Sequence, residues 1–200
     1  LNGDAGDKPP TPTMMKTFSL LPSTPDLVGA EVELINLDNR ETRLKEALVP
    51  LKTLYDYIII DVPPSLSILT VNALAASDSV IIPVQCEYFA LEGISELVQT
   101  IEMIKESVNP SLIIEGILLT MYDGRNNLAN QVVNEINSHF KDLVFKTLVP
   151  RSVRLAEAPS HGKPILLYDI RSKGAQSYLA LAQEFLARQE SEQPLLRNTA

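Results

Sequence analysis

Tyr57-Ile58-Ile59-Ile60-Asp61-Val62-Pro63-Pro64 is the stretch that decides the fold. Four apolar or aromatic residues follow one another without alternation, the pattern of a strand buried on both faces, as in a parallel sheet. An acid stands at the carboxyl edge of that run. The paired prolines stiffen the chain as it leaves. Downstream the alternation continues. Residues 66–76 fit a helix and 79–84 a second apolar strand. Residues 90–108 form the clearest helix, with Ile94, Leu97, Val98, Ile101, Ile104 and Val108 on one face. Asn109-Pro110 ends it. Residues 113–121 read as a strand, 126–140 as a helix and 144–149 as a strand stopped by Pro150. A short helix or loop follows over 151–158, then an extended apolar run over 165–168 and a closing helix over 175–188.

Upstream, residues 1–16 are rich in Gly, Asp, Pro and Thr and read as a flexible lead-in. A short strand is expected at 18–22 and helical structure over 27–37. A helix is expected over 40–55, capped by Asp38 or Asn39 and kinked or split by Pro50. Strands alternating with helices imply right-handed crossovers and an α/β domain over residues 17–188, its mostly parallel sheet covered by helices on both faces. Residues 189–200 are expected to fray. Ligands in such sheets sit at the carboxyl ends of the strands. That singles out Asp61, Gln85, residues 121–123 and residues 150–154.

Composition narrows the functional classes. The 200 residues are 45% hydrophobic and 21% charged, which excludes disorder as the main state. One cysteine, Cys86, excludes a disulfide framework, and two histidines leave little for a Cys/His metal site. Cys86 reads as a buried small hydrophobe and His139 as a capping or surface residue. No apolar run approaches the roughly 18–20 residues of a membrane span, so the chain is expected to be cytoplasmic, without a membrane partner. The net charge of -8 hides an asymmetry. Residues 1–104 carry 6 basic and 15 acidic side chains, whereas 121–173 carry 8 basic and 5 acidic. A local basic face of that kind can bind an anionic polymer. Arg125 and Arg154 follow strand ends, where they can meet phosphates. They can equally be solvated, or paired with Asp123 and Glu157.

The motifs resemble one family. Residues 55–66 resemble the Walker B region of the ParA/Soj chromosome-partitioning ATPases. Pro83-Val84-Gln85-Cys86-Glu87-Tyr88-Phe89-Ala90-Leu91-Glu92-Gly93 is similar to the family's next segment. Residues 118–123, Pro150-Arg151-Ser152-Val153-Arg154-Leu155-Ala156-Glu157-Ala158-Pro159, residues 162–165 and 172–175 continue the match in order, over about 18–188 in all. The resemblance implies a P-loop NTPase-like fold and a homodimer formed around two ATP molecules with Mg²⁺. It implies nonspecific DNA binding on the nucleoid, and hydrolysis stimulated by a ParB-type centromere-binding protein. Asp61 would be the Walker B acid, holding Mg²⁺ through water. Met121, Pro150 and Val153 would lie beside the adenine, and Arg125 and Arg154 would contact DNA.

The match departs from the family in two respects: it lacks the family's phosphate loop and the family segment after it, which carries the acid that orients the attacking water. The 8 glycines form no Lys-Gly-Gly-x-Gly-Lys-Thr phosphate loop. The expectation is a P-loop NTPase-like domain incomplete at its N-terminus: a fragment of a partitioning ATPase, inactive alone. The alternatives are a noncatalytic ParA-like interaction or DNA-binding module, or a MinD-type membrane-cycling ATPase. The last calls for a basic amphipathic C-terminal helix, whereas the tail after Phe185 sets Arg188 and Arg197 against Glu190 and Glu192.

Overall fold

The computed structural model describes residues 9–63 and 67–197. Two compact units arise from the chain, one of Leu1–Ser79 with Thr100–Ile113, the other of Val80–Gln99 with Ile114–Ala200.

The first unit opens with a small antiparallel ribbon, β1 (Thr11–Pro12) against β2 (Ser19–Leu20). Helices α1 (Leu27–Leu34), α2 (Arg43–Leu48) and α3 (Ile68–Ala76) follow. The helix expected from residue 40 begins at Arg43, because residues 39–42 form a turn closed by Thr42 N donating to Asn39 O at 3.1 Å. Pro50 falls within a 3₁₀ turn, Val49–Leu51, and splits the helix as its missing N–H requires. Buried Asn72 fastens α3 to the start of α2. Its Nδ2 donates to Arg40 O at 2.7 Å and Ile68 O at 2.9 Å, and its Oδ1 accepts from Leu44 N at 3.1 Å. Buried Asn109 acts likewise, Nδ2 donating to Leu74 O and Ser77 O. Leu34, Leu48, residues 73–76, Ile101, Ile104 and Leu112 form the core of this unit.

Residues 57–60 correct the reading they prompted. They form no strand, and Ile59 is 89% exposed. A strand exists only by hydrogen bonds to a neighbouring strand, and no described segment pairs with this one. Pro64, Ser65 and Leu66, part of the same motif, lie outside the described residues.

In the second unit β3 (Ser79–Gln85) pairs with β4 (Ile113–Thr120). Ile113 N donates to Asp78 O, and Cys86 N to Thr120 O, so the two strands run parallel, as expected. Helix α4 (Ala90–Ser107) buries Ile94 in this unit, its Ile101 and Ile104 belonging to the core of the first, and α5 (Asn127–Phe140) buries Ala129, Val132 and Ile136. The segment expected as a strand over 144–149 runs beside β4 without a continuous ladder: Phe145 N and Val149 N donate to Ile117 O and Leu119 O, both at 2.9 Å, and isolated parallel bridges join Ile117 with Val144 and Tyr122 with Pro150. Between these bonds the amides of Lys146 and Thr147 donate to the Glu184 carboxylate. Helix α6 (Val153–Glu157) follows. Residues 165–168, expected extended, form a helical turn, α7 (Ile165–Tyr168), because Pro164 O accepts from Leu167 N and Tyr168 N. Helix α8 (Lys173–Arg197) runs on where fraying was expected from residue 189. It packs Leu181 and Phe185, with Leu155, against Leu118, Phe145 and Val149. No helix among the described residues is long and apolar enough to cross a membrane.

Candidate nucleotide and nucleic-acid site

Asp61 lies in the first unit, exposed in a stretch of chain without regular structure. Among the described residues no three His, Cys, Asp or Glu side chains cluster as metal ligands.

The other five candidate residues belong to the second unit, where two chain segments meet at the carboxyl ends of the strands. Beyond β4, Met121 adopts a left-handed φ of 54°, rare for a side chain of this size, and turns the chain sharply. The next residue bridges to Pro150: Tyr122 N donates to Val149 O at 3.1 Å, and Arg151 N to Tyr122 O at 3.0 Å. The segment bearing Arg125 and the segment bearing Arg151 and Arg154 thus leave the same edge side by side. Three bonds fix the first of them. Tyr122 Oη donates to Asn130 Oδ1 at 2.8 Å, Asn130 Nδ2 donates to Gly124 O, and Asn126 Oδ1 caps α5 by accepting from Leu128 N.

Each arginine at this edge meets a carboxylate. Arg125 grips Asp123 with two parallel bonds, Nε to Oδ1 at 3.0 Å and Nη2 to Oδ2 at 2.8 Å, while its side chain stays 91% exposed. The hydrogen bonds from the Arg125 side chain, then from its backbone N–H, hold the Asp123 carboxyl down at about 2, and the charge of Arg151 adds to this. Arg151 Nη2 donates to Glu87 Oε1 at 3.1 Å. Arg154 Nη1 donates to Glu157 Oε2 at 3.0 Å, and its Nε lies 3.5 Å from Asp169 Oδ2. Tyr168 Oη donates to the same Glu157 oxygen. The partners Asp123 and Glu157 were legible as an alternative, being two and three residues away. Glu87 and Asp169 were missed: Glu87 stands 64 residues from Arg151, and no local signal connects them.

Met121, Pro150 and Val153 are grouped loosely. Pro150 is half-buried and bridged to Tyr122, whereas Val153, at the start of α6, is 72% exposed. Met121, Asp123 and Arg151 line an open cleft of about 770 Å³ whose floor includes Ile82, Ile94 and Leu97. Cys86 lies in its wall, buried as expected, and burial pushes its thiol pKa up. His139 is exposed, its Nδ1 2.8 Å from Glu135 O.

Comparison with known proteins agrees with the motif order. A model of the AAA domain family matches residues 9–114. Chromosome partitioning protein ParA of Myxococcus xanthus is 60% identical over 186 residues, 93% of this chain and 66% of that protein. Sporulation initiation inhibitor protein Soj of Bacillus subtilis is 57% identical over 175 residues, 88% of this chain and 69% of its own. Among solved structures, cobyrinic acid a,c-diamide synthase of Mycobacterium smegmatis with bound ADP and magnesium superposes with a TM-score of 0.74. It is 34% identical, over 88% of this chain and 65% of that one. The chain spans about two thirds of the length of these relatives. It is a member of the ParA/Soj family, with the α/β fold of the P-loop NTPases.

Proposed function

We propose that these residues belong to a partitioning ATPase that binds ATP with Mg²⁺, dimerises, and binds DNA without sequence preference. Its cycle positions chromosome or plasmid origins with a ParB-type centromere-binding partner, in the cytoplasm and on the nucleoid. The observation that carries the reading is the 60% identity with a chromosome partitioning ParA across 93% of the chain.

The residues are suited to the parts assigned to them. Asp61 offers a solvent-accessible carboxylate, the hard oxygen donor that Mg²⁺ takes through water. Met121, Pro150 and Val153 offer an apolar margin at the carboxyl end of parallel strands, where a purine ring binds. Magnesium would shield the charge of the phosphates. The 200 residues contain no glycine-rich loop to grip them. Arg125 and Arg154 extend from one edge, the placement that backbone phosphates require, and such contacts carry no sequence information.

The full-length protein tests this. ATP turnover stimulated by DNA and the ParB-type partner should vanish in Asp61→Ala. Duplex affinity should fall in the Arg125→Ala/Arg154→Ala double variant, and the slope of log K against log salt should flatten by about 0.9 for each phosphate that is no longer neutralised. Turnover indifferent to Asp61, or an unchanged slope, would overturn the corresponding assignment.

A further inference from the structure

Residues 121–173 are basic in sequence, yet the edge they build is not. Arg125, Arg151 and Arg154 face Asp123, Glu87, Glu157 and Asp169, three guanidinium groups against four carboxylates. The pairing is systematic: every one of these arginines has its own acid at hydrogen-bond distance. In the Arg125 pair the fork of the guanidinium is matched by both carboxylate oxygens, the same geometry it would offer a phosphate. A phosphate arriving there either displaces Asp123 or sits beside it as a second anion.

We propose that Asp123 and Glu157 are intramolecular competitors of DNA phosphate, so that the binding edge is self-neutralised until the acids are exchanged for the duplex. This rests on the assignment of Arg125 and Arg154 as DNA contacts. The competitors hold weakly enough to be exchanged. Solvent-exposed ion pairs contribute so little that each acid lowers DNA affinity about two- to fivefold, no more. Their effect is multiplied over the two subunits of a dimer. The acids thereby keep affinity low enough for repeated release, with no change in the arginines themselves.

A double-mutant cycle on the full-length protein with ATP separates competition from general charge repulsion. The readout is affinity for a random-sequence duplex at fixed salt, by fluorescence anisotropy. Asp123→Asn keeps an oxygen for the Arg125 backbone N–H and removes only the charge. It should tighten binding about two- to fivefold for each subunit that contacts the duplex in the parent and leave it unchanged in the Arg125→Ala background. Glu157→Gln should behave the same way with and without Arg154→Ala. Equal gains in both backgrounds would mean that the acids act only through their field, and would overturn the proposal. Absent gains in the parent, with Arg→Ala weakening intact, would overturn it while leaving the DNA assignment standing. If the Arg→Ala variants themselves bind DNA normally, that assignment falls and the competition falls with it.

Discussion

Glu184 holds the end of the second unit together, and its removal is the sharpest test of that unit's construction. Its Oε1 accepts from Lys146 N at 2.7 Å and from Arg188 Nη2 at 3.1 Å, and its Oε2 accepts from Thr147 N at 2.9 Å. Arg188 also donates to Val144 O at 2.8 Å and lies 4.1 Å above the centre of the buried Phe145 ring. One carboxylate on α8 therefore satisfies the two amides between Phe145 and Val149, whose own N–H groups bond to β4. Hydrogen bonds to a charged group contribute about 1.5–3 kcal/mol each. Lys146 is exposed, so water can replace part of the loss. Glu184→Ala should then destabilise by about 2–3 kcal/mol. Glu184→Gln, which keeps one accepting oxygen and turns an NH₂ toward the other amide, should cost about 1–2 kcal/mol. The pH dependence follows from the direction of the shift. Burial raises the Glu184 pKa, but the amide and Arg188 hydrogen bonds outweigh it, and the carboxyl ends below its ordinary 4.5. A depressed carboxyl stabilises the fold above its unfolded pKa, and that stability is lost as pH falls through the folded one. The gap between wild type and Glu184→Gln should be constant from pH 7 to about 5.5 and close below pH 4.5. Urea denaturation followed by circular dichroism suits a sequence without tryptophan. A gap as wide at pH 4 as at pH 7, or a Gln variant as stable as wild type, would refute the reasoning.

Gly116→Ala should cost about 1–3 kcal/mol, because a Cβ there would come within 2.6 Å of the Phe145 ring, which Arg188 holds in place; an unchanged melting temperature would contradict it. Gly174→Ala puts a Cβ 2.6 Å from Leu155 on α6, so it should displace Arg154 and lower DNA affinity as well as stability. Gly116→Ala should lower stability alone, and equal binding by the two variants would contradict this. Asn72→Asp sets a carboxylate against the carbonyls of Arg40 and Ile68, and should destabilise by about 2–4 kcal/mol at pH 7 and less at pH 3. The Asp123 carboxyl should titrate near 2 by NMR and return toward 3.8 in Arg125→Ala. The 200 residues alone should hydrolyse ATP at the background rate, a result that Asp61-dependent turnover would contradict.

Local patterns in the sequence were legible, and pairings at a distance were not. Helices α4 and α5 announced themselves because a three-four stripe of apolar residues has one outcome in a helix. Strands β3 and β4 followed from apolar runs bounded by turn residues. Residues 57–60 carry the same signal as β3, but a strand needs a neighbour to bond to, and composition does not say whether one is there. Residues 165–168 are too few for periodicity to separate a helical turn from a strand. Residues 144–149 keep part of a strand's pairing, Phe145 N and Val149 N donating to β4, but the amides of Lys146 and Thr147 go to Glu184, 38 and 37 residues away, which no local signal announces.

The same division governs the site. Asp123 and Glu157 could be named from sequence because the arginines they pair with are two and three residues off, whereas Glu87 and Asp169 needed the fold. Two readings of those arginines, contacts for an anionic polymer or members of surface ion pairs, are rivals while only the sequence is in view. Under the proposed competition they are successive states of one group. A guanidinium already held by a carboxylate in fork geometry is oriented for an anion, at a cost in affinity limited by how little an exposed pair contributes. A bare arginine would bind DNA more tightly but with its side chain unplaced. An arginine paired in the interior would not exchange, because breaking a buried pair costs several times more. Exposure of 91% at Arg125, with both oxygens of Asp123 engaged, places this residue between those limits. The proposed cycle, in which DNA is held and then released, needs contacts of that intermediate kind.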